Sequence, residues 1–270
     1  MIQRIVTALA VVAGIIGIAC VDMSAPEGAA SISALQLPSP SVVVGDTMRD
    51  STGVVAPITV IAFDGSGNPI QANVQLFTTD TLGFSHVGAN NVLVGDSIGQ
   101  TRLLGQVGTL PTVVAVVPVT YAPSTLVPNP DTSIHGINVT AGPDSASTIG
   151  KAPVSVRVLA SNDSGSQGMI VRFQILQAPP TRPESHSPAV YLGNPDNNLV
   201  PSAVDTTDAK GIATRSLVVI SNFFTDSLRS GLKADSAIVL VTAKYKGLAI
   251  PPATGLKIVV PITVTVSITP

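Results

Sequence analysis

The sequence has few of the residues on which most helical proteins and most enzymes depend. It contains no tryptophan, one cysteine, three histidines and only two glutamates, Glu27 and Glu184. Long helices use glutamate, lysine and leucine heavily, so helix content is expected to be low. Only 11% of the residues are charged, and the 14 lysines and arginines form no cluster of the kind that binds nucleic acid. No nucleic-acid partner is therefore predicted.

Residues that carry chemistry are scarce and far apart. The histidines, His86, His135 and His186, lie about fifty residues from one another, so none stands in a metal-ligand spacing. No nucleophile elbow, phosphate-binding loop or dinucleotide fingerprint is present. These observations predict a protein that is not an enzyme, with no catalytic residue, no metal and no cofactor.

The aspartates have a structural interpretation. Most stand beside glycine, serine or threonine, as in Gly45-Asp46-Thr47 and Asp64-Gly65, where Asx-turns explain them. Two loops, Asp163–Ser166 and Asp196–Asn198, offer oxygen atoms to calcium. Calcium needs six to eight oxygens and neither loop supplies them alone, so whether a loop binds calcium stays open.

The N-terminus has the pattern of an export signal. Arg4 is followed by a run of 17 residues, Ile5–Val21, in which Thr7 is the only polar side chain besides Cys20. The run ends in Gly17-Ile18-Ala19-Cys20, which resembles the lipobox of bacterial lipoproteins, with Gly17 where that family usually has leucine. The resemblance implies a signal peptide over residues 1–19 and a lipid attached to Cys20.

The lone cysteine favours the same interpretation. Exported domains normally use cysteines in pairs, whereas Cys20 stands alone at the end of the apolar run. Several acyl chains on one residue give firm membrane attachment. Val21, rather than aspartate, follows Cys20, and by analogy with enteric lipoproteins this favours the outer membrane of the cell envelope. Plain secretion and an uncleaved helical anchor remain as alternatives. Residues 20–40 are predicted to be a flexible tether.

Beyond the tether the sequence predicts an all-β fold. Valine, isoleucine and threonine abound, 22 prolines and 23 glycines supply turns, and runs such as Val154, Val156 and Val158 alternate with polar residues. The pattern predicts two tandem β-sandwiches of immunoglobulin-like type, over residues 41–121 and 133–270. A linker over residues 122–132, which has three prolines, is predicted to separate them.

An internal repeat supports two related domains. Ala56-Pro57-Ile58-Thr59-Val60 matches Ala152-Pro153-Val154-Ser155-Val156 at an offset of 96 residues. The aromatic residues expected on the core faces of strands are Phe63, Phe77, Phe173 and Tyr245. An exposed aromatic platform for sugar rings is not indicated, because tryptophan is absent.

Two motifs resemble the bacterial immunoglobulin-like repeats of the invasin and intimin group. One is Phe63-Asp64-Gly65-Ser66-Gly67-Asn68-Pro69-Ile70, which lies within Ile58–Phe77. The other is Thr207-Asp208-Ala209-Lys210-Gly211-Ile212-Ala213-Thr214, where a strand is entered through an Asp-x-x-Gly turn. Asn162-Asp163-Ser164-Gly165-Ser166 departs from the pattern in the second copy. The resemblance implies a spacer or adhesion role at the cell surface.

Three interpretations of function follow. The first is a non-catalytic envelope lipoprotein that acts as a surface spacer, adhesion or protein-interaction module. The second is a ligand-binding lipoprotein that presents a protein or glycan partner, and the third is an enzyme of an unrecognised type. The expected partners are a membrane, through the lipid anchor, and an unidentified protein. Phe223 and Phe224 are the candidates for contact with that protein, although the favoured interpretation of this pair is a loop that plugs the open end of the sandwich.

Overall fold

The structure is a computed structural model, and it describes residues 29–79, 81–132, 136–141, 149–179, 189–196, 200–221 and 233–266. Within these ranges the chain forms twenty β-strands, one short 3-10 turn (Ala89–Asn91) and no α-helix. The all-β prediction is therefore confirmed. The strands are β1 (Ser31–Ile32), β2 (Val42–Val43), β3 (Ala62–Phe63), β4 (Pro69–Ile70), β5 (Gln75–Thr78), β6 (Ser85–Val87), β7 (Leu93–Gly95), β8 (Gly99–Val107), β9 (Leu110–Pro111), β10 (Ala115–Thr120), β11 (Pro123–Pro128), β12 (Ile137–Ala141), β13 (Ile149–Ala160), β14 (Ile170–Gln177), β15 (Val190–Gly193), β16 (Val204–Thr206), β17 (Ile212–Ile220), β18 (Lys233–Tyr245), β19 (Leu248–Ala249) and β20 (Leu256–Val266).

The chain divides into two compact units. Among the described residues, the smaller unit comprises 29–36, 59–77 and 104–115, and the larger comprises 37–58, 78–103 and the described residues from 116 onward. In the smaller unit, β1, β3 and β4 form an antiparallel sheet in that order, and the ends of β8 and β9 form a hairpin. In the larger unit, β2 runs parallel to β10, and β6 and β7 form a hairpin.

Most of the larger unit is a two-sheet sandwich. One sheet has the order β11-β13-β17-β15, and the other has the order β12-β20-β18-β14-β16, with β19 also paired to β18. Seven of these strands can be lettered A to G along the chain: β11, β13, β14, β15, β17, β18 and β20. The first sheet then has the order A-B-E-D, and the second has G-F-C between its edge strands β12 and β16. This is the strand order of constant-type immunoglobulin domains, so an immunoglobulin-like sandwich spans Pro123–Val266.

The sandwich is held together by branched aliphatic side chains. Val156 and Leu217 of one sheet and Val241 and Ile262 of the other are fully buried in a single apolar cluster. Immunoglobulin domains of antibodies carry a disulfide between strands B and F, but this chain has its one cysteine at position 20. The alternation predicted for β13 and β18 is confirmed, because every second side chain is buried from Ala152 to Val158 of β13 and from Ala237 to Ala243 of β18.

Two segments predicted to be irregular form strands. Within the predicted linker, β11 pairs with β13 and buries Leu126, while its prolines, Pro123 and Pro128, are tolerated because β11 is an edge strand. Within the predicted tether, Ser31–Ile32 pairs with β3. Both expectations are therefore wrong for these residues, because prolines and short polar runs also occur in strands at the edge of a sheet. The separation into two tandem sandwiches stays a prediction.

One core assignment is also wrong. Phe173 is buried, with 2% of its surface exposed, and Tyr245 packs against the same cluster, as predicted. Phe77, however, is 42% exposed, because its neighbour Leu76 is the residue of β5 that points inward. Because side chains alternate along a strand, either Leu76 or Phe77 faces the core, and a shift of the pattern by one residue exchanges the buried and exposed faces of β5.

The Asp-x-x-Gly motifs form one repeated turn. The backbone N–H of each aspartate donates to the carbonyl four residues on, and its Oδ1 accepts the N–H groups two and four residues on. The glycine adopts a positive φ, which favours glycine. These turns begin at Asp50, Asp64 and Asp208. The turn at Ala160–Ser164 has the same backbone hydrogen bonds, with Asp163 in the glycine position at φ 62°.

Candidate functional site

The main candidate site lies in the larger unit, where the segment from Ser39 to Gly53 meets the end of the sandwich. β2 pairs with β10, and the chain then turns at Gly45, whose φ is +71°. The Asp50 turn follows and packs against the hairpin turn between β18 and β19. A Cβ atom on Gly53 would overlap the backbone of Lys246 and Gly247, so only glycine allows this close approach.

A carboxylate stands at the centre of this junction. Asp46 accepts hydrogen bonds from Nε and Nη2 of Arg49 at 3.0 and 2.9 Å, and from the hydroxyl of Tyr245 at 2.8 Å. Nζ of Lys246 lies 3.4 Å from Asp46 Oδ2, and 5.3 Å from the centre of the Tyr245 ring. These four residues are called the Asp46 cluster below. Asp46 and Tyr245 are 199 residues apart, so the cluster ties two distant parts of the chain together.

The pKa values of the cluster follow from burial and hydrogen bonding. Burial of Asp46 would raise the pKa of its carboxyl, but the hydrogen bonds from Arg49 and Tyr245 outweigh it and hold that pKa well below its usual range. Burial of Tyr245, and then its hydrogen bond to Asp46, raise the pKa of the phenol well above its usual range. Asp46 is therefore ionised and Tyr245 neutral at physiological pH. Neither group is poised to exchange protons near pH 7, as general acid–base catalysis requires.

Further contacts fasten the same junction. The backbone N–H of Gln167 donates to Oγ1 of Thr120 at 2.8 Å. Nη1 of Arg49 donates to the carbonyl oxygen of Gly53 at 3.0 Å, which braces the Asp50 turn. Ser41 lies against Gly168, where a Cβ atom would collide with the serine side chain. The residues on the two sides belong to segments that the sequence pattern assigns to different sandwiches.

A pocket opens beside the Asp46 cluster. Its charged lining residues are the cations Arg49, Arg172, Lys244 and Lys246 and the acids Asp46 and Asp50. Val42, Met169 and Ile170 supply apolar walls. The hydroxyl of Ser41, a residue only 3% exposed, lines the pocket and has no hydrogen-bond partner.

The structure describes few of the residues singled out from the sequence. Cys20, Phe223 and Phe224 lie outside the described residues, as do His135, His186 and most of the Asp196–Asn198 loop. His86 is exposed and its Nδ1 lies 2.7 Å from Oδ2 of Asp96. In the part of the chain that the structure describes, no group of three or more histidine, cysteine, aspartate or glutamate side chains is placed to hold a metal ion.

Sequence reasoning missed the Asp46 cluster. Asp46 was interpreted as a turn residue, and Tyr245 only as a core residue. Asp64 does cap its own turn as predicted, but Asp46 uses its carboxylate for Arg49 and Tyr245 instead. The one local signal is Arg49 three residues after Asp46, a spacing too common to indicate a site.

No helix among the described residues combines the length and the apolar character needed to cross a bilayer. No family model matches the chain, and no curated protein matches it.

The chain is similar to several solved structures. Domains 4 and 5 of the S-layer protein SbsC align with a TM-score of 0.31 and 12% identity, over 87% of this chain and 100% of that one. The adhesin InvE of Yersinia pseudotuberculosis aligns with a TM-score of 0.31 and 19% identity, over 89% of this chain and 61% of that one. Invasin, a bacterial integrin-binding protein, aligns with a TM-score of 0.27 and 14% identity, over 87% of this chain and 39% of that one.

Proposed function

We propose that the protein is a non-catalytic module of the bacterial cell envelope, anchored through lipid on Cys20, that acts as a stiff spacer for adhesion or protein interaction. The observation that carries the proposal is the Asp46 cluster, which fastens the segment before the sandwich to the end of strand β18. A spacer needs a junction that resists bending. The hydroxyl of Tyr245 and the ammonium group of Lys246 contact the Asp46 carboxylate from the other side of the junction. These contacts provide that resistance, because bending breaks a charge-assisted hydrogen bond and an ion pair.

The sandwich itself supports the proposal. Its core is a continuous set of mostly aliphatic side chains from both sheets, and the carboxylate of Asp208 closes one of its turns. The sequence resemblance to invasin and intimin repeats points to the same use, although a fold alone does not determine function.

The location of the protein can be tested by cell fractionation. An epitope inserted into the exposed turn Asp64–Asn68 is expected to be reached by antibody in envelope preparations, with the protein in the membrane fraction. Cys20→Ser is expected to release the protein from that fraction or to leave it unprocessed. Recovery of the unaltered protein in the cytoplasm, with no lipid on Cys20 by mass spectrometry, would contradict the proposal.

A further inference from the structure

The pocket beside the Asp46 cluster has positive charge that the protein does not neutralise. Its lining holds four cations and two acids. Of these acids, Asp46 is already bound by Arg49 and Tyr245, and Oδ1 of Asp50 accepts the hydroxyl and N–H of Thr52 and the N–H of Val54. Among the described residues, the side chains of Arg172 and Lys244 make no ion pair or hydrogen bond.

The strand register places these two free cations close together. Arg172 of β14 lies opposite Thr242 of β18, and Lys244 is two residues further along β18. Arg172 and Lys244 therefore share the exposed face of the sheet as diagonal neighbours, roughly 7–8 Å apart between Cα atoms. An anion bound between or beside them would interact favourably with both charges.

A buried hydroxyl in the same pocket also lacks a partner. Ser41 is 3% exposed and its Oγ makes no hydrogen bond. A buried donor without an acceptor loses its hydrogen bonds to water and gains none in return, so native proteins rarely keep one. An anionic oxygen that entered the pocket would accept a hydrogen bond from this hydroxyl, in the same pocket that Arg172 and Lys244 line.

We propose that this pocket binds a carboxylate carried by an acidic side chain of a partner polypeptide, with the Ser41 hydroxyl as donor and Arg172 and Lys244 as counter-charges. A single acid on a flexible aliphatic stem suits a pocket that combines free cations with apolar walls, which are formed by Val42, Met169 and Ile170. A sulfated or phosphorylated polymer favours a long stripe of cations, and only two are free here.

The proposal goes beyond the spacer role and does not depend on it. Ser41, Arg172 and Lys244 lie outside the Asp46 cluster, so a pocket that binds nothing leaves the stiff junction intact. Because the pocket takes Ser41 from one side of the junction and Arg172 and Lys244 from the other, binding is measured in the protein with its Asp46 cluster unaltered. The two claims therefore fail in separate experiments.

Binding can be measured by NMR on the full-length protein. The backbone amides of Ser41, Gly168 and Met169 are monitored during titration with acetyl-Gly-Glu-Gly-amide. Saturable shifts are expected, weakening as salt rises because the attraction is screened. The neutral peptide acetyl-Gly-Gln-Gly-amide, glucuronate and inorganic sulfate are titrated in parallel and are expected to bind at least about tenfold more weakly.

Variants decide whether the pocket is responsible. Ser41→Ala is expected to weaken binding of the glutamate peptide about tenfold, the loss of one hydrogen bond to a charged group, with no loss of thermal stability. Arg172→Gln is expected to weaken it by a similar factor. Lys257→Gln, which removes an exposed cation of β20 outside the pocket, is the matched control and is expected to change nothing.

Three results would overturn the proposal. The first is the absence of saturable shifts at Ser41, Gly168 and Met169. The second is equal or tighter binding of glucuronate or sulfate, which would assign the pocket to a glycan or an inorganic anion. The third is a Lys257→Gln variant that loses as much affinity as Arg172→Gln, which would show binding to the general charge of the surface.

Discussion

Substitution of Asp46 by asparagine removes the charge at the centre of the junction while keeping the size of the side chain. Arg49 and Lys246 then lose their ionic partner, and the Tyr245 hydroxyl loses a charged acceptor. Breaking a fully buried ion pair costs about 3–5 kcal/mol. Arg49 keeps 25% of its side chain exposed and Asp46 9%, so water compensates in part. We expect a loss of about 2–3 kcal/mol in the free energy of unfolding at pH 7.

The effect should depend on pH in a defined direction. The pKa of Asp46 is lower in the folded than in the unfolded protein, so its contribution is fully present above the unfolded value near 3.8. This contribution is lost as the pH falls through the lowered folded pKa. The gap between the wild-type protein and Asp46→Asn is therefore expected to be constant from pH 5 to 8 and to shrink below pH 4.

Urea denaturation measures this directly. With a slope of about 2–3 kcal/mol per molar urea, the midpoint should fall by about 1 M at pH 7. Asp96→Asn is the matched control, because Asp96 and His86 form an exposed pair, worth about 0–1 kcal/mol. If Asp46→Asn costs no more than Asp96→Asn, or if its cost is the same at pH 3 as at pH 7, the assigned role of the cluster is wrong.

Three further predictions concern the turns, the core and the anchor. Gly67→Ala should destabilise the fold by about 1–2 kcal/mol because of its φ of +84° alone, since no atom lies within 4 Å of the position of an added Cβ. Gly65→Ala has the same open surroundings but no positive φ, so it should leave the melting temperature nearly unchanged. Phe173→Ala should lower the free energy of unfolding, measured by urea denaturation, by about 3–5 kcal/mol, while Phe77→Ala, at an exposed position, should lower it much less. Equal losses would contradict the stated burial. Mass spectrometry should find lipid on Cys20, and Cys20→Ser should either leave the membrane fraction or stay unprocessed. An unmodified Cys20 in the mature protein would contradict the proposed anchor.

Features that depend on a few neighbouring residues could be predicted from the sequence. Alternation along β13 and β18 identified buried valines, because side chains on a strand point to opposite faces in turn. The Asp-x-x-Gly turns at Asp64 and Asp208 were recognisable because an aspartate and a glycine at these positions satisfy a specific backbone geometry.

Features that depend on tertiary contact could not be predicted. The prolines of β11 indicated a linker, but an edge strand has one side that needs no N–H donor, and the sequence does not show which strands lie at edges. Phe77 and Leu76 are adjacent and apolar, so the alternation alone does not decide which one is buried. The hydrogen bond from Tyr245 to Asp46 spans 199 residues, a separation over which no local pattern carries information.

The stiffness of the junction is tested most directly by the distance between two spin labels. One is attached at Thr52→Cys in the Asp50 turn and the other at Lys257→Cys of β20, in a protein that also carries Cys20→Ser. A narrow distance distribution is predicted for this protein. A broader distribution is predicted when Asp46→Asn and Tyr245→Phe are added, since the fastening hydrogen bonds are then removed. A distribution that is already broad before the cluster is altered would contradict the account.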